Sequence, residues 1–228
     1  MRDVYTAQAA YWWDKNGPFK MLHRLHPTRF ALIVSQVDDL SGKYVLDYAC
    51  GGGFLAESLV QAGAEVVGLD INERCIEVAQ AHAKQSGLCI DYRCGDIDSL
   101  ISSYNKKKVF DMVCALECLE HVAYPRRMVE SLASYLGPGG YAVFSTINRN
   151  IKSYLLGVIA AEYLLGWVEP GTHEHNRFIK PSELVEMCRN AGLQLYYLAG
   201  MCFDLKTQTF HRSDCVDVNY LAIFVKVR

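Results

Sequence analysis

Val45 to Gly53 reads VLDYACGGG, an apolar run that ends in an acid and breaks into three consecutive glycines. From Phe54 to Ala62 the apolar side chains recur at helical spacing, so the local order is strand, glycine loop, helix. In α/β proteins this order carries nucleotide-type ligands. Glycine lets the backbone approach a ligand where a Cβ would collide, and the amides that open the helix attract anionic groups. Gly63 is placed to end that helix, and Glu65 to Asp70, EVVGLD, reads as a second buried strand that also ends in an acid. Asp70 follows Asp47 at close to the offset of roughly 20 residues at which an acidic side chain meets the ribose hydroxyls of a nucleoside cofactor.

Outward from this unit the alternation continues. A helix over 72–86 stopped by Gly87 leads to a strand from Ile90 to Cys94, followed by Gly95, Asp96 and Ile97. A strand from Val109 to Ala115, a helix from Pro125 to Leu136, a turn over Gly137 to Gly140 and a strand from Tyr141 to Thr146 come next. Near the end, Pro181 to Ala191 reads as a helix closed by Gly192, and Leu193 to Ala199 and Leu221 to Val227 as two final strands. Lys106 to Lys108 reads as a solvated turn before a strand.

With 228 residues, 51% of them hydrophobic, the chain can fill one core, so a single α/β domain is expected. A formal charge of -2 argues against nucleic acid as partner and for a small molecule. Nine cysteines without a C-x-x-C pair resemble neither a disulfide scaffold nor a zinc ribbon, which points to reducing cytosol. No basic stretch leads into an apolar segment at the start, so no secretory signal is expected. Residues 1–40 hold Trp12, Trp13, Phe19, His23 and His26 and read as a docking arm, either covering the core edge or closing as a lid over a ligand.

The loop discriminates among cofactors. A dinucleotide fingerprint wants glycine at its first, third and sixth positions, and the register from Ala49 gives Ala49, Gly51 and Phe54, which argues against a pyrophosphate. An acid followed by small residues at alternate positions, Asp47, Ala49, Gly51 and Gly53, suits an S-adenosylmethionine site instead. Asp47 could also merely cap the loop, and Asp70 the next helix.

At this point the chain resembles the class I S-adenosylmethionine-dependent methyltransferases, and among them the ubiquinone-biosynthesis O-methyltransferases. The resemblance rests on YWWDKNGPFKMLHRLHPTRF, VLDYACGGGFLAES, ALECLEHV, STINRNIKSYLLGVIAAEYLLGWVEPGTHEHNRFIKPSEL and DVNYLAIFVK, and so runs over almost the whole chain. It implies a Rossmann-like fold with a mostly parallel seven-stranded sheet and helices on both faces, with the methyltransferase domain over 41–228. It implies that Asp70 holds the ribose, that Asp96 and Ile97 flank the adenine, that Leu116 lies beside the cofactor and that Arg29 reaches the donor carboxylate. Ala49 and Tyr48 depart from the family's usual glycine and small aliphatic residue.

Methyl transfer to a phenol needs the oxygen deprotonated. Glu117, Glu120 and His121 would share one face if the segment after the fourth strand were helical. Together they could hold a divalent cation, Mg²⁺ or Zn²⁺, that takes the oxygens of a catechol, or His121 alone could act as general base. The family resemblance favours the metal. Cys114 and Cys118 fall near this face but read as packing.

Residues 151–168, IKSYLLGVIAAEYLLGWV, are apolar but interrupted by Lys152 and Glu162, which argues against a membrane span. Within a lipophilic insertion at about 148–180, this run reads either as a buried helix or as a lid on the membrane surface, with Trp167, Lys152, Arg149 and Arg177 near headgroups. His173 and His175 could add substrate or metal contacts. The expectation is therefore an O-methyltransferase of polyprenylated phenols or catechols, peripheral to the inner face of the membrane and in association with other enzymes of ubiquinone biosynthesis. The alternatives are a methyltransferase for another lipophilic phenol, a nicotinamide oxidoreductase, and a non-catalytic lipid-binding protein on this fold.

Overall fold

The computed structural model describes residues 2–37, 39–97, 99, 109–154 and 175–227. Its centre is an eight-stranded sheet with order β3-β2-β1-β4-β5-β8-β6-β7. The strands are β1 Tyr44–Tyr48, β2 Glu65–Asp70, β3 Asp91–Cys94, β4 Phe110–Leu116, β5 Leu136–Ile147, β6 Leu193–Asp204, β7 Thr209–Ser213 and β8 Asn219–Lys226. β1 to β5 run parallel, while β8 pairs antiparallel with both β5 and β6, and β7 antiparallel with β6. The expected seven strands are thus eight. The additional one, TFHRS, is an edge strand with no fully buried side chain, so it carries no apolar alternation.

β1 shows why the opening run is continuously apolar. Val45 points to one buried cluster and Leu46 and Tyr48 to the other, because successive strand residues face opposite sides. One face is covered by α2 (Lys20–Gln36), α3 (Phe54–Gln61) and α4 (Glu73–Gln85) through Leu25, Leu32, Ile33, Leu59, Ile76 and Ala79. The other is covered by α5 (Pro125–Ser134) and α7 (Pro181–Asn190) through Val129, Leu132 and Leu184. α1 (Arg2–Gln8) and a short turn, Ala9–Tyr11, lead into a third cluster in which Ala9, Trp12 and Phe19 pack on Phe54 and Cys75. α6 (Ile151–Ser153) opens the apolar insertion, of which 155–174 lie outside the described residues; Glu162, Trp167 and His173 are among them. No described helix is long and apolar enough to cross a membrane.

Candidate functional site

β1 has β2 on one side and β4 on the other, so the chain order reverses at its C-terminal end and leaves a crevice there. A cavity of about 450 Å³ occupies that crevice. β1 and its loop contribute Asp47, Tyr48, Ala49, Cys50 and Gly51, the end of β2 contributes Asp70, and the end of β4 contributes Leu116, Glu117 and His121. α2 adds Arg29 and His26, and the segment before it adds Tyr5 and Trp12.

The loop is built around Asp70. Its Oδ2 accepts from the Gly51 amide at 2.9 Å and its Oδ1 from the Asn72 amide at 2.8 Å. The acid therefore ties the glycine loop to the start of α4, where Asn72 caps the helix by accepting from the Arg74 and Cys75 amides. Ala49 and Gly51 both take left-handed conformations, φ 57° and 54°. For Ala49 this conformation costs about 1 kcal/mol that a glycine would not incur. Trp12 lies flat enough on the loop that a Cβ on Gly51 or Gly52 would run into its indole. Gly53, with φ 94°, is the N-cap of α3, and a Cβ there would meet the Tyr92 hydroxyl, so it shapes the loop from behind.

The expected adenine pair follows directly on the cavity wall. Gly95 lines the cavity, whereas the Asp96 carboxylate accepts from the Ser99 amide at 2.9 Å and Ile97 is buried in the core against α5.

The end of β4 corrects the expected helical face. Glu117 has φ 50° and its amide still pairs in strand fashion with the Ser145 carbonyl at 2.9 Å, while Leu119–His121 makes only a single 3-10 turn. The Glu117 carboxylate accepts from the Ser145 hydroxyl at 2.7 Å, and Asn219 and Arg29 stand at 3.2 and 3.6 Å. Glu120, buried, accepts from the Thr146 hydroxyl at 2.7 Å. Among the described residues no group of three or more His, Cys, Asp or Glu side chains converges to hold a metal. As they stand, the side chains of Glu117, Glu120 and His121 do not converge on one point, and no step below runs through a metal.

The cavity is rich in acid. Burial pushes the Asp47 carboxyl up to about 7 against the pull of the Ala56 amide and Arg29. Burial, and next the neighbouring Glu117, raise Glu120, and burial raises Asp70. Burial also lowers Arg29, which Glu117, Asp47 and Glu120 oppose. Arg29 Nε, Asp47 Oδ2, His26 Nδ1 and Trp12 Nε1 are buried without a hydrogen-bond partner, and each belongs to a residue of the cavity wall. Such atoms suit a polar ligand that brings both donors and acceptors.

A pH dependence follows from Asp47. The folded protein keeps that carboxyl protonated up to about 7, whereas the unfolded chain releases the proton near 3.8. Between those values the folded state holds more protons, so stability falls as pH rises. Asp47→Asn is expected to flatten this slope, read by urea unfolding at about pH 5 and about pH 8. An unchanged slope would show that Asp47 ionises freely.

Trp12 and His26 enter the sequence reading only through the docking arm, and Tyr5, Ser145, Thr146 and Asn219 escape it. The only trace of the last three is polar side chains set in otherwise apolar strands, in STIN and VNYLAIF.

A family described as a methyltransferase domain matches residues 21–198. Solved structures of the same architecture include magnesium protoporphyrin IX methyltransferase from Synechocystis PCC 6803 with bound SAM. It is 20% identical with a TM-score of 0.65, over 99% of this chain and 94% of that one. An N-methyltransferase from Bradyrhizobium japonicum WM9, in complex with S-adenosyl-L-homocysteine, is 17% identical with a TM-score of 0.64, over 99% of this chain and 96% of that one. Fold, switch-point cavity and domain match define an S-adenosylmethionine-dependent methyltransferase of class I. Ubiquinone biosynthesis O-methyltransferases are far more similar: that of Idiomarina loihiensis is 47% identical over 97% of this chain and 90% of its own length. That of Chromobacterium violaceum is 44% identical over 96% and 93%. The chain belongs to the ubiquinone biosynthesis O-methyltransferase family.

Proposed function

We propose that this enzyme methylates a hydroxyl of a polyprenylated phenol or catechol in ubiquinone biosynthesis, with S-adenosylmethionine as donor. The observation that carries this reading is that Asp70 at the end of β2 and Glu117 and His121 at the end of β4 face one cavity. Donor-binding and acceptor-binding groups thus look onto the same space.

In this arrangement Asp70 takes the ribose hydroxyls, Ala49 and Gly51 let the loop backbone lie against the donor, and Leu116 packs beside it. Arg29 meets the donor carboxylate with its unpartnered Nε, and Asp47, Asp70 and Glu117 surround the donor's cationic groups. When bound, the donor supplies an electrophilic sulfonium methyl group. Carboxylates of the wall that are ionised, Glu117 among them, would favour a cationic donor over its uncharged-sulfur product. His121 takes the proton of the attacking hydroxyl, and Glu117, fixed by Ser145 and Asn219, orients the acceptor.

The decisive assay supplies labelled donor and a short-tail catechol, with and without EDTA. Label on the catechol oxygen is the expected result. Bound donor without any transfer would favour the non-catalytic lipid-binding reading, and activity restored only by added Mg²⁺ or Zn²⁺ would take the proton step away from His121 alone.

We propose further that the enzyme is peripheral to the cytoplasmic face of the membrane through residues 151–168. The support is the apolar run itself and, at its described start, Ile151 at 78% exposure. Sedimentation with anionic vesicles is expected for the whole chain and lost in a folded deletion of 151–168; retained binding would overturn the assignment.

A further inference from the structure

The two adjacent tryptophans of the WWD stretch face opposite ways. Trp12 is buried in the cavity wall, whereas Trp13 crosses the outside of the glycine loop and is only partly buried. Trp13 Nε1 donates to the Gly52 carbonyl at 3.0 Å, and its indole stacks on the His82 imidazole, 3.5 Å between centroids and 3° from parallel. His82 Nδ1 donates to the Glu57 carboxylate at 2.7 Å, and the Glu57 amide donates to the Gly53 carbonyl at 3.0 Å. Phe54 abuts the indole edge-on at 4.7 Å. These contacts form a closed ring that leaves the loop at Gly52, passes through Trp13, His82 and Glu57, and returns at Gly53.

We infer that Trp13 is a positioning residue for the methyl donor, acting through this clasp with His82 and Glu57 to fix the loop that the donor lies on. The inference rests on the donor-site reading of the cavity. Gly51, Gly52 and Gly53 give the loop more backbone freedom than any other sequence would, and that freedom must be lost when a ligand is held. The Gly51 amide on Asp70 anchors only the inner side of the loop. Trp13 anchors the outer side, and it does so from the segment that also places Trp12 and Tyr5 in the cavity wall. Order in that segment and order in the loop are therefore one event. A tryptophan serving only as packing would need no hydrogen bond to a loop carbonyl and no imidazole held flat against it by a buried carboxylate.

The test uses the full chain and S-adenosyl-L-homocysteine as the probe, with Trp13→Phe, which keeps a ring on His82 but lacks the N–H, with His82→Ala, and with both together. Calorimetry is expected to show affinity weakened about tenfold by either change. The double variant should be no weaker than the worse single by more than about twofold, because the parts act as one unit. The donor KM should rise with it, while kcat at saturation and the acceptor KM stay at the wild-type values. If Trp13→Phe and His82→Ala both bind the probe within about twofold of wild type, the clasp is overturned. It is equally overturned if donor affinity, acceptor KM and melting temperature fall together, which is the mark of a structural role. Wild-type protein that does not bind the probe at all would overturn the donor-site reading itself, whatever the variants do.

Discussion

Asp70→Asn is expected to weaken S-adenosyl-L-homocysteine binding about 100-fold, close to 2.7 kcal/mol, with a much smaller effect on melting temperature. The substitution preserves volume and changes only what the two terminal atoms can accept. At present each oxygen accepts a backbone amide, one from Gly51 and one from Asn72. Asparagine keeps a single acceptor, so one of those amides would face an NH₂ group, donor against donor, and lose about 1–3 kcal/mol of interaction. On the proposed reading the lone pairs left over on the same oxygens meet the ribose, and that contact would weaken too. That amide loss falls on stability as well, where it is offset because burial already disfavours the charged carboxylate and the asparagine amide avoids that cost. Calorimetry and a thermal melt on the same preparation read both quantities. Affinity within about threefold of wild type would mean that Asp70 only staples the loop and that the ribose lies elsewhere.

Much of this was legible in the sequence. An apolar run with both faces buried, ended by an acid and glycines, predicts a central parallel strand, and β1 is one. The offset between Asp47 and Asp70 follows from the length of one βαβ unit, and both residues line the cavity. The misses have local causes. Gly137 to Gly140 reads as a turn, yet β5 begins at Leu136 and absorbs these residues at an irregularity opposite Phe110 and Met112. The helical face of Glu117, Glu120 and His121 fails because the Glu117 amide stays committed to Ser145, holding that residue in a left-handed turn. Asp96 has the expected chain position, beside Gly95 of the cavity wall, and one of its carboxylate oxygens accepts from the Ser99 amide. Tyr5, Trp12 and His26 depend on where the N-terminal segment docks, and no local pattern encodes a contact made across the fold. Trp13 is the same case: its partners Gly52 and His82 are distant in sequence, and nothing in WWD announces which tryptophan turns inward.

His121→Ala is expected to lower kcat by about two to three orders of magnitude while leaving S-adenosyl-L-homocysteine affinity within about twofold of wild type. At neutral pH only roughly one phenol molecule in a thousand is ionised, because its pKa is about 10, so generating the phenolate is worth about 4 kcal/mol. His121 lines the cavity from the end of β4, while the loop, Asp70 and Asn72 line it from the ends of β1 and β2. Its loss should therefore fall on the proton step and spare the donor. Neither neighbouring acid replaces it readily: Glu120 is held by Thr146 and buried, and Glu117 is held by Ser145 and Asn219. The pH profile separates a lost base from a disturbed pocket. With His121 absent, the residual rate should go on climbing with pH toward the ionisation of the free phenol near 10, whereas a merely distorted pocket would keep the wild-type shape at a lower level. A kcat within about fivefold of wild type in His121→Ala would remove the imidazole from the reaction. A rearranged Glu117, which stands at the end of β4 and lines the cavity, would then be the next group to test as the proton acceptor.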